Sequence, residues 1–197
     1  MFTAICGAIC AAVGAICQVV GALTVLAVAV QGLAKALGII KPEEKVEEVG
    51  DKAIQAEDEG IKPENYNSFE EYKRALDNFE IDPEKSKKIS EEDKLRKGLE
   101  VMSIGIKDKY PEIDIEKLFD LYNTAPGILT EKKFDELGKM VNADPKVIDN
   151  MIGYINGTEK RDSALINAEQ ALIKMEKAEN PKLSDEEATF KAMQVRG

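Results

Sequence analysis

The first 34 residues of the chain carry no charged side chain, and this apolar segment limits the possible folds more than any other feature. A helix of that length would extend for about 51 Å, whereas the hydrocarbon core of a bilayer is about 30 Å thick. We therefore expect one long helix that tilts in a membrane, protrudes from it or is buried in part by protein. A helical hairpin is the alternative, although no Pro, Asn or Asp is present to form its turn.

The apolar segment has a seven-residue repeat, which reads GAICAAV, GAICQVV, GALTVLA and VAVQGLA in successive rows. A hydrophobic period of about 3.5 residues predicts left-handed supercoiling against a neighbouring helix. Small residues in register let two helix backbones approach closely, although membrane helices are also rich in Gly and Ala through composition alone. The sequence thus predicts a helix-packing face. Its residues are Gly7, Ala8, Cys10, Gly14, Ala15, Cys17, Gly21, Ala22 and Ala29.

Beyond Thr3, near the start of the chain, three polar residues interrupt the apolar segment, namely Gln18, Thr24 and Gln31. Such side chains form hydrogen bonds between packed helices, and the alternative is that they line a pore. All three cysteines of the protein also lie in this segment. We interpret them as small buried apolar side chains. Disulfides between neighbouring helices of a bundle are the alternative, because spacing within one helix does not suit a disulfide.

The rest of the chain is acidic. Residues 42–197 contain 37 acidic and 25 basic side chains, and the net charge of the whole protein is −10. Because such a surface repels phosphate backbones and no basic stripe is present, we expect no nucleic-acid partner. The protein has no histidine, and it has no cysteine beyond residue 17. The acidic region therefore lacks the commonest catalytic base and the usual ligands of zinc.

Charges that flank the apolar segment bear on its orientation. Lys35, Lys41, Lys45 and Lys52 follow the segment, and no basic residue precedes it. If the segment spans a membrane, the positive-inside rule places the acidic region in the cytoplasm. The expected location is membrane-associated with a cytoplasmic acidic domain, or else within a virus particle or large assembly.

The acidic region has the pattern of several short helices separated by turns. Ser68, Asp82, Ser90, Asp114 and Ser184 each precede a helical pattern and have the chemistry of an N-cap. No run of alternating β-branched residues predicts a strand. The predicted fold class is therefore all-α, with one long apolar N-terminal helix that has a Gly/Ala heptad packing face, followed by an acidic multi-helix globular domain.

These patterns also predict a division of the chain. The apolar transmembrane or bundle-forming helix is expected at residues 1–41. An acidic helical stalk or hinge follows at residues 42–64, where acidic side chains dominate. The acidic all-α globular domain is expected at residues 65–197.

No motif in the sequence points to a catalytic or ligand-binding site. Glycine-rich phosphate-binding loops, a nucleophile elbow and a calcium-binding loop are all absent from it. We therefore predict no catalytic residue, no cofactor and no metal. Asn156-Gly157-Thr158 matches a glycosylation acceptor, but we interpret it as a turn between helices.

Three functions are compatible with these features. The first is a non-enzymatic structural subunit whose apolar helix associates with copies of the same chain, in a bilayer or a large assembly, while the acidic domain binds other protein subunits. Secretion, conjugation or injection machinery and virus particles would need such a part. The second is a pore-forming protein of the holin or toxin type, which requires the polar residues of the segment to face water. The third is a membrane-tethered enzyme, which the lack of histidine disfavours.

Overall fold

The structure, a computed structural model, describes Phe2, Cys6, Ile9 and Val13, residues 23–125 and residues 127–196. Every regular element in this part of the chain is a helix, which confirms the predicted all-α class. A single 3₁₀ turn, Pro63–Asn65, accompanies the α-helices. The described α-helices are α1 (Leu23–Ala36), α2 (Val46–Asp58), α3 (Phe69–Asp77), α4 (Pro83–Ser86), α5 (Glu91–Lys109), α6 (Ile115–Thr124), α7 (Glu131–Ala143), α8 (Val147–Ile155), α9 (Asp162–Glu179) and α10 (Asp185–Gln194).

The chain forms two compact units, Met1–Lys109 and Tyr110–Gly197. The predicted divisions near residues 41 and 64 both lie inside the first unit, and they remain predictions. Helix α2 falls within the predicted stalk. Its apolar side is buried rather than solvated, since Val49 and Ala53 have almost no exposed surface. Most of the acidic residues that suggested a stalk occupy its other positions, whereas Asp51 is buried.

In the first unit, α5 is the central helix, and α1, α2 and α3 pack against it. The crossing of α2 and α5 depends on glycine. A Cβ atom placed on Gly98 of α5 would lie 2.1 Å from the carbonyl oxygen of Val46, a distance that no real Cβ contact reaches. The two helices therefore touch backbone to backbone, as close-packed helices do where small residues meet.

Most of the buried residues that the structure describes in the apolar segment fall in two columns of its seven-residue repeat, and Leu33 is buried in a third. The buried residues of the two columns are Phe2, Ile9 and Val30 in one and Cys6, Val13, Ala27 and Ala34 in the other. All seven have helical backbones. Their spacing of three and four residues places them on one side of a helix. We call this set the buried seam.

The predicted long apolar helix is described only in part. Its C-terminal portion is α1, which has 14 residues. Within the described ranges, no helix combines the length and the apolar character that crossing a membrane requires. The full length of the helix and its Gly/Ala packing face remain predictions.

Five helices begin at the side-chain caps that the sequence predicts. In each of them the cap oxygen accepts a backbone N–H two or three residues farther along the chain, at 2.8–3.3 Å. Such caps satisfy N–H groups that the first turn leaves without an intrahelical partner. The capping residues are Ser68, Asp82, Ser90, Asp114 and Ser184.

In the second unit, α9 is central, and α7, α8 and α10 pack against it. The ring of Tyr110 meets the buried ring of Phe134 edge-on, with 5.6 Å between the centroids. Its hydroxyl donates a hydrogen bond to Asp135 Oδ1 at 2.6 Å. An ion pair between Lys133 of α7 and Glu176 of α9 joins the two helices, and the side chains are only 11% and 13% exposed.

Candidate functional site

Most of the residues predicted to pack or to lie polar within the apolar segment fall outside the described residues. These are Gly7, Ala8, Cys10, Gly14, Ala15, Cys17, Gln18, Gly21 and Ala22. Thr24 and Ala29 lie within α1, where the structure describes their helical backbone. Gln31 is the one member of the predicted set whose side chain is described.

Gln31 forms a hydrogen bond between two helices of the same chain. Its Oε1 atom accepts the backbone N–H of Val46 at 3.0 Å. Val46 is the first residue of α2, so this N–H has no partner within its own helix. Gln31 therefore acts as a cap supplied by α1 to α2. Gln31 is half-buried, and this hydrogen bond gives it a structural role within the first unit that does not require a pore.

One residue of the buried seam has an electrostatic interaction with α3. The Cys6 thiol interacts electrostatically with the phenol of Tyr72, a fully buried residue of α3. Burial raises the pKa of Tyr72, and the neighbouring acids Glu57 and Glu64 add to the effect. In the described part of the chain the Tyr72 hydroxyl has no hydrogen-bond partner.

The opposite side of α1 is exposed. Val28 is 67% exposed, although it is a large apolar residue. Gly32 is also exposed, and a Cβ atom placed on it would meet nothing within 4 Å. In the sequence repeat, Val28 continues the column that contains Gly7, Gly14 and Gly21. We call Val28 and Gly32 the open side of α1.

A network of ion pairs links the α1–α2 connection to α3. Lys73 of α3 bridges Glu44, at 3.3 Å, and Asp77 one turn along its own helix. Lys41 also pairs with Asp77, at 3.4 Å. Burial on its own would raise the pKa of Asp77, but Lys73 and Lys41 outweigh it and hold the pKa below its ordinary value. The carboxylate of Asp77 is thus already neutralised by two ammonium groups.

Beside this network lies a groove of about 710 Å³, which we call the α3 groove. It runs between the α1–α2 connection, α3 and the last turn of α5. Its apolar lining includes Leu37, Ile39 and Phe69, and four basic side chains exceed three acidic ones along its walls. The charged residues are Lys41, Lys73, Arg74 and Lys109 on the basic side and Glu70, Asp77 and Asp108 on the acidic side.

A second polar cluster lies between α2, α4 and α5. Gln55 donates to Asp51 Oδ1 at 2.8 Å and accepts the backbone N–H of Asp82 at 2.9 Å. Asp51 also accepts the Ser86 hydroxyl and pairs with Lys94 at 3.4 Å. Each of these polar groups has its partner inside the cluster, so the arrangement ties three helices together.

No metal-binding cluster of His, Cys, Asp or Glu occurs among the described residues. Several charged residues of the first unit form ion pairs with one another. No family model matches the chain, and no curated protein or solved structure matches it significantly.

Sequence reasoning missed the α3 groove, because its residues come from three separate segments of the chain. One signal was present: Lys73 and Asp77 are four residues apart, a spacing that brings side chains together on a helix. The approach of Lys41 to the same carboxylate depends on how the α1–α2 connection folds back, and the sequence pattern does not contain this information.

Proposed function

We propose that this protein is a non-enzymatic structural subunit that self-associates through its apolar N-terminal segment. The association takes place in a membrane or within a large assembly, such as secretion, conjugation or injection machinery or a virus particle. The acidic helical units then bind other protein subunits. The observation that carries the proposal is the burial pattern of the described residues, which are buried on one side of the repeat while Val28 and Gly32 of α1 are exposed.

In this proposal, the small-residue columns are the surface that meets a second copy. The large aliphatic side chains of the seam already have their contacts within the first unit. A partner helix must therefore meet the remaining columns, and Val28 of α1 shows that the glycine column continues to an exposed position. Glycine costs about 1 kcal/mol in a helix interior relative to alanine, so three in register favour a role in close helix contact.

The ion-paired interior of the first unit also supports a structural role. The least exposed of the ion-paired carboxylates are neutralised by neighbouring lysines, as Asp51 is by Lys94 and Glu100 by Lys97. Groups held in this way stabilise a packed fold. A general acid or base, in contrast, requires a group with a proton affinity matched to its reaction.

The experiment that tests this proposal compares two lysine substitutions by light scattering after size exclusion, in buffer and in mild detergent. Val28→Lys places a charge on the open side of α1, where the single chain has room for it. Ile166→Lys is the matched control, since Ile166 is an apolar residue of α9 with 54% exposure. We expect a discrete oligomer for the unmodified protein and for Ile166→Lys, and at least a tenfold weaker association for Val28→Lys.

Two results would contradict the proposal: a monomer at every concentration in both media, or unchanged assembly of Val28→Lys. Flotation with lipid vesicles then separates the two settings. Co-flotation of the oligomer indicates a membrane, whereas a lipid-free particle in the dense fractions indicates a protein assembly. Dye release from the same vesicles would identify a pore instead.

A further inference from the structure

We propose that the α3 groove binds a single-chain anionic amphiphile, with its tail along Leu37, Ile39 and Phe69 and its carboxylate or phosphate at Lys41 and Arg74. This inference does not depend on self-association, because all residues of the groove belong to one unit of one chain. The proposed occupant is a monomeric amphiphile, such as a fatty acid or a lysophospholipid.

The floor of the groove is apolar and closed. Gly105 of α5 lies beneath Ile39 and Phe69, and a Cβ atom placed on it would come within 2.5 Å of Ile39 Cγ2 and 2.9 Å of Phe69 Cε1. These side chains therefore lie directly against the α5 backbone at Gly105. Ile39 and Phe69 are already buried by the fold, and half-buried Leu37 continues the apolar surface towards the end of α1. A hydrocarbon chain would gain free energy by covering the part of Leu37 that is still exposed and the remaining edge of the floor.

The walls of the groove favour an anion, because four basic side chains face three acidic ones and each acidic side chain already has a partner. Asp77 is paired with Lys73 and Lys41, and Asp108 accepts the backbone N–H of Phe69 at 3.2 Å. Glu70 forms an ion pair with Arg74 that is largely exposed.

Two of the basic groups can reach a ligand. Lys41 and Arg74 have side chains that are 54% and 69% exposed, and their ion pairs are of the kind that a competing anion displaces at little cost. Arginine also presents a planar pair of donors that matches carboxylate and phosphate oxygens. The anionic head group of a ligand would therefore lie at the cations of the rim, and its tail would lie on the apolar floor below them.

The dimensions agree with this class of ligand. Small-molecule sites typically have volumes of about 300–1,000 Å³. The α3 groove, at about 710 Å³, lies within this range.

The test uses dodecanoate below its micelle concentration, titrated into the full chain by calorimetry, with dodecanol as the probe that has the same tail and no charge. We expect saturable one-to-one binding of dodecanoate and at least tenfold weaker binding of dodecanol. Lys41→Gln and Arg74→Gln should each weaken dodecanoate about tenfold. Lys62→Gln, an exposed position outside the groove, is the control and should leave the affinity unchanged. All three variants alter exposed side chains, and matching thermal unfolding midpoints will show that each is folded.

Several results would overturn the proposal. Equal affinity for dodecanol would mean that charge is not recognised, and equal affinity for inorganic phosphate would mean that the tail is not. Wild-type affinity in both Lys41→Gln and Arg74→Gln would place the ligand elsewhere. Binding to phosphatidylglycerol vesicles without saturable binding of dodecanoate would assign the cations to a bilayer surface instead. The Leu37→Gln variant supplies the tail-side check, since it should weaken dodecanoate without affecting phosphate.

Discussion

A Cβ atom on Gly50 would lie 2.7 Å from the backbone nitrogen of Gly98, so α2 and α5 are held at a separation that only glycine permits. The same atom would lie 1.8 Å from the carbonyl oxygen of Lys94. Because the obstacles are backbone atoms, no change of side-chain rotamer can relieve them. The fold of the first unit thus depends on a methyl group being absent at two positions.

We predict that Gly50→Ala and Gly98→Ala each lower the free energy of unfolding by about 3 kcal/mol, because the helices must separate to admit the methyl group. Gly32→Ala is the control, since Gly32 is helical, exposed and free of neighbours. It should raise the free energy of unfolding by up to about 1 kcal/mol through helix propensity. Urea denaturation followed by circular dichroism measures all three. Equal changes in the free energy of unfolding for Gly50→Ala and Gly32→Ala would contradict the backbone contact between α2 and α5.

The ion pair between Lys133 and Glu176 should be costly to break. Lys133→Met leaves a nearly buried carboxylate without its cation, and we expect a loss of about 3–4 kcal/mol in the free energy of unfolding. Lys117→Met is the control in the same unit, because the Lys117–Asp149 pair is far more exposed. Its loss should stay below about 1 kcal/mol.

A double substitution separates the cost of an unpaired charge from that of lost packing. Lys133→Met combined with Glu176→Leu removes both charges and should recover most of the stability that Lys133→Met loses. Failure to recover would mean that the pair itself, and not the unpaired carboxylate, stabilises the contact between α7 and α9.

Two tyrosine hydroxyls should respond in opposite ways to removal. Tyr110→Phe deletes a hydrogen bond to Asp135 and should cost about 1 kcal/mol in the free energy of unfolding. Tyr72→Phe removes a buried hydroxyl that has no partner among the described residues. It should be neutral or raise the free energy of unfolding by up to about 1 kcal/mol. A loss from Tyr72→Phe as large as that from Tyr110→Phe would reveal a hydrogen bond at Tyr72.

The same two tyrosines make the protein sensitive to alkali. Burial raises the pKa of both Tyr72 and Tyr110 above the ordinary value of 10.0. The unfolded chain loses these protons first, so their contribution to stability is complete below pH 10 and declines as the pH rises further. Ultraviolet absorbance of the phenolates should show these two tyrosines ionising late in the folded protein. Normal titration of all five tyrosines would contradict the burial.

Glu159 should give the protein a stability term at acidic pH. The guanidinium and backbone N–H of Arg161, with the N–H of Lys160, hold the pKa of Glu159 at about 2, below its ordinary 4.5. The folded pKa is the lower one, so the contribution is present above pH 4.5 and is lost as the pH falls towards 2. The stability difference between wild type and Glu159→Gln should vanish over that window. Carbon NMR titration of the carboxyl measures the pKa directly, and Arg161→Gln should return it towards 4.5.

The sequence predicted the local features of the fold well, because their causes are local. Ser68, for example, caps α3 through the N–H of Glu71, as its spacing indicated. Thr130 precedes α7 as expected, yet its hydroxyl bonds to Glu179 instead of capping the helix. A partner that is 49 positions away leaves no trace in the local pattern.

The features set by packing between distant segments were not predictable in this way. A glycine in one helix indicates a close approach only when the partner helix is known. Gly50 and Gly98 therefore did not predict the contact between α2 and α5. The α3 groove has the same origin, since the α1–α2 connection and α5 meet there. The seven-residue repeat was visible, but which of its columns the chain would bury for itself depended on the surface that α3 and α5 offer.

The capping of α2 by Gln31 sets different evolutionary demands on neighbouring positions of α1. Substitutions at Val30 and Ala34 are limited by side-chain volume, because both residues are buried. Substitutions at Gln31 are limited by side-chain length and polarity, because a shorter or apolar side chain would leave the N–H of Val46 without this hydrogen bond. Neither side-chain volume nor a hydrogen bond of this kind limits substitution at Val28 and Gly32. If selection nevertheless keeps those two positions constant, the constraint must come from another molecule.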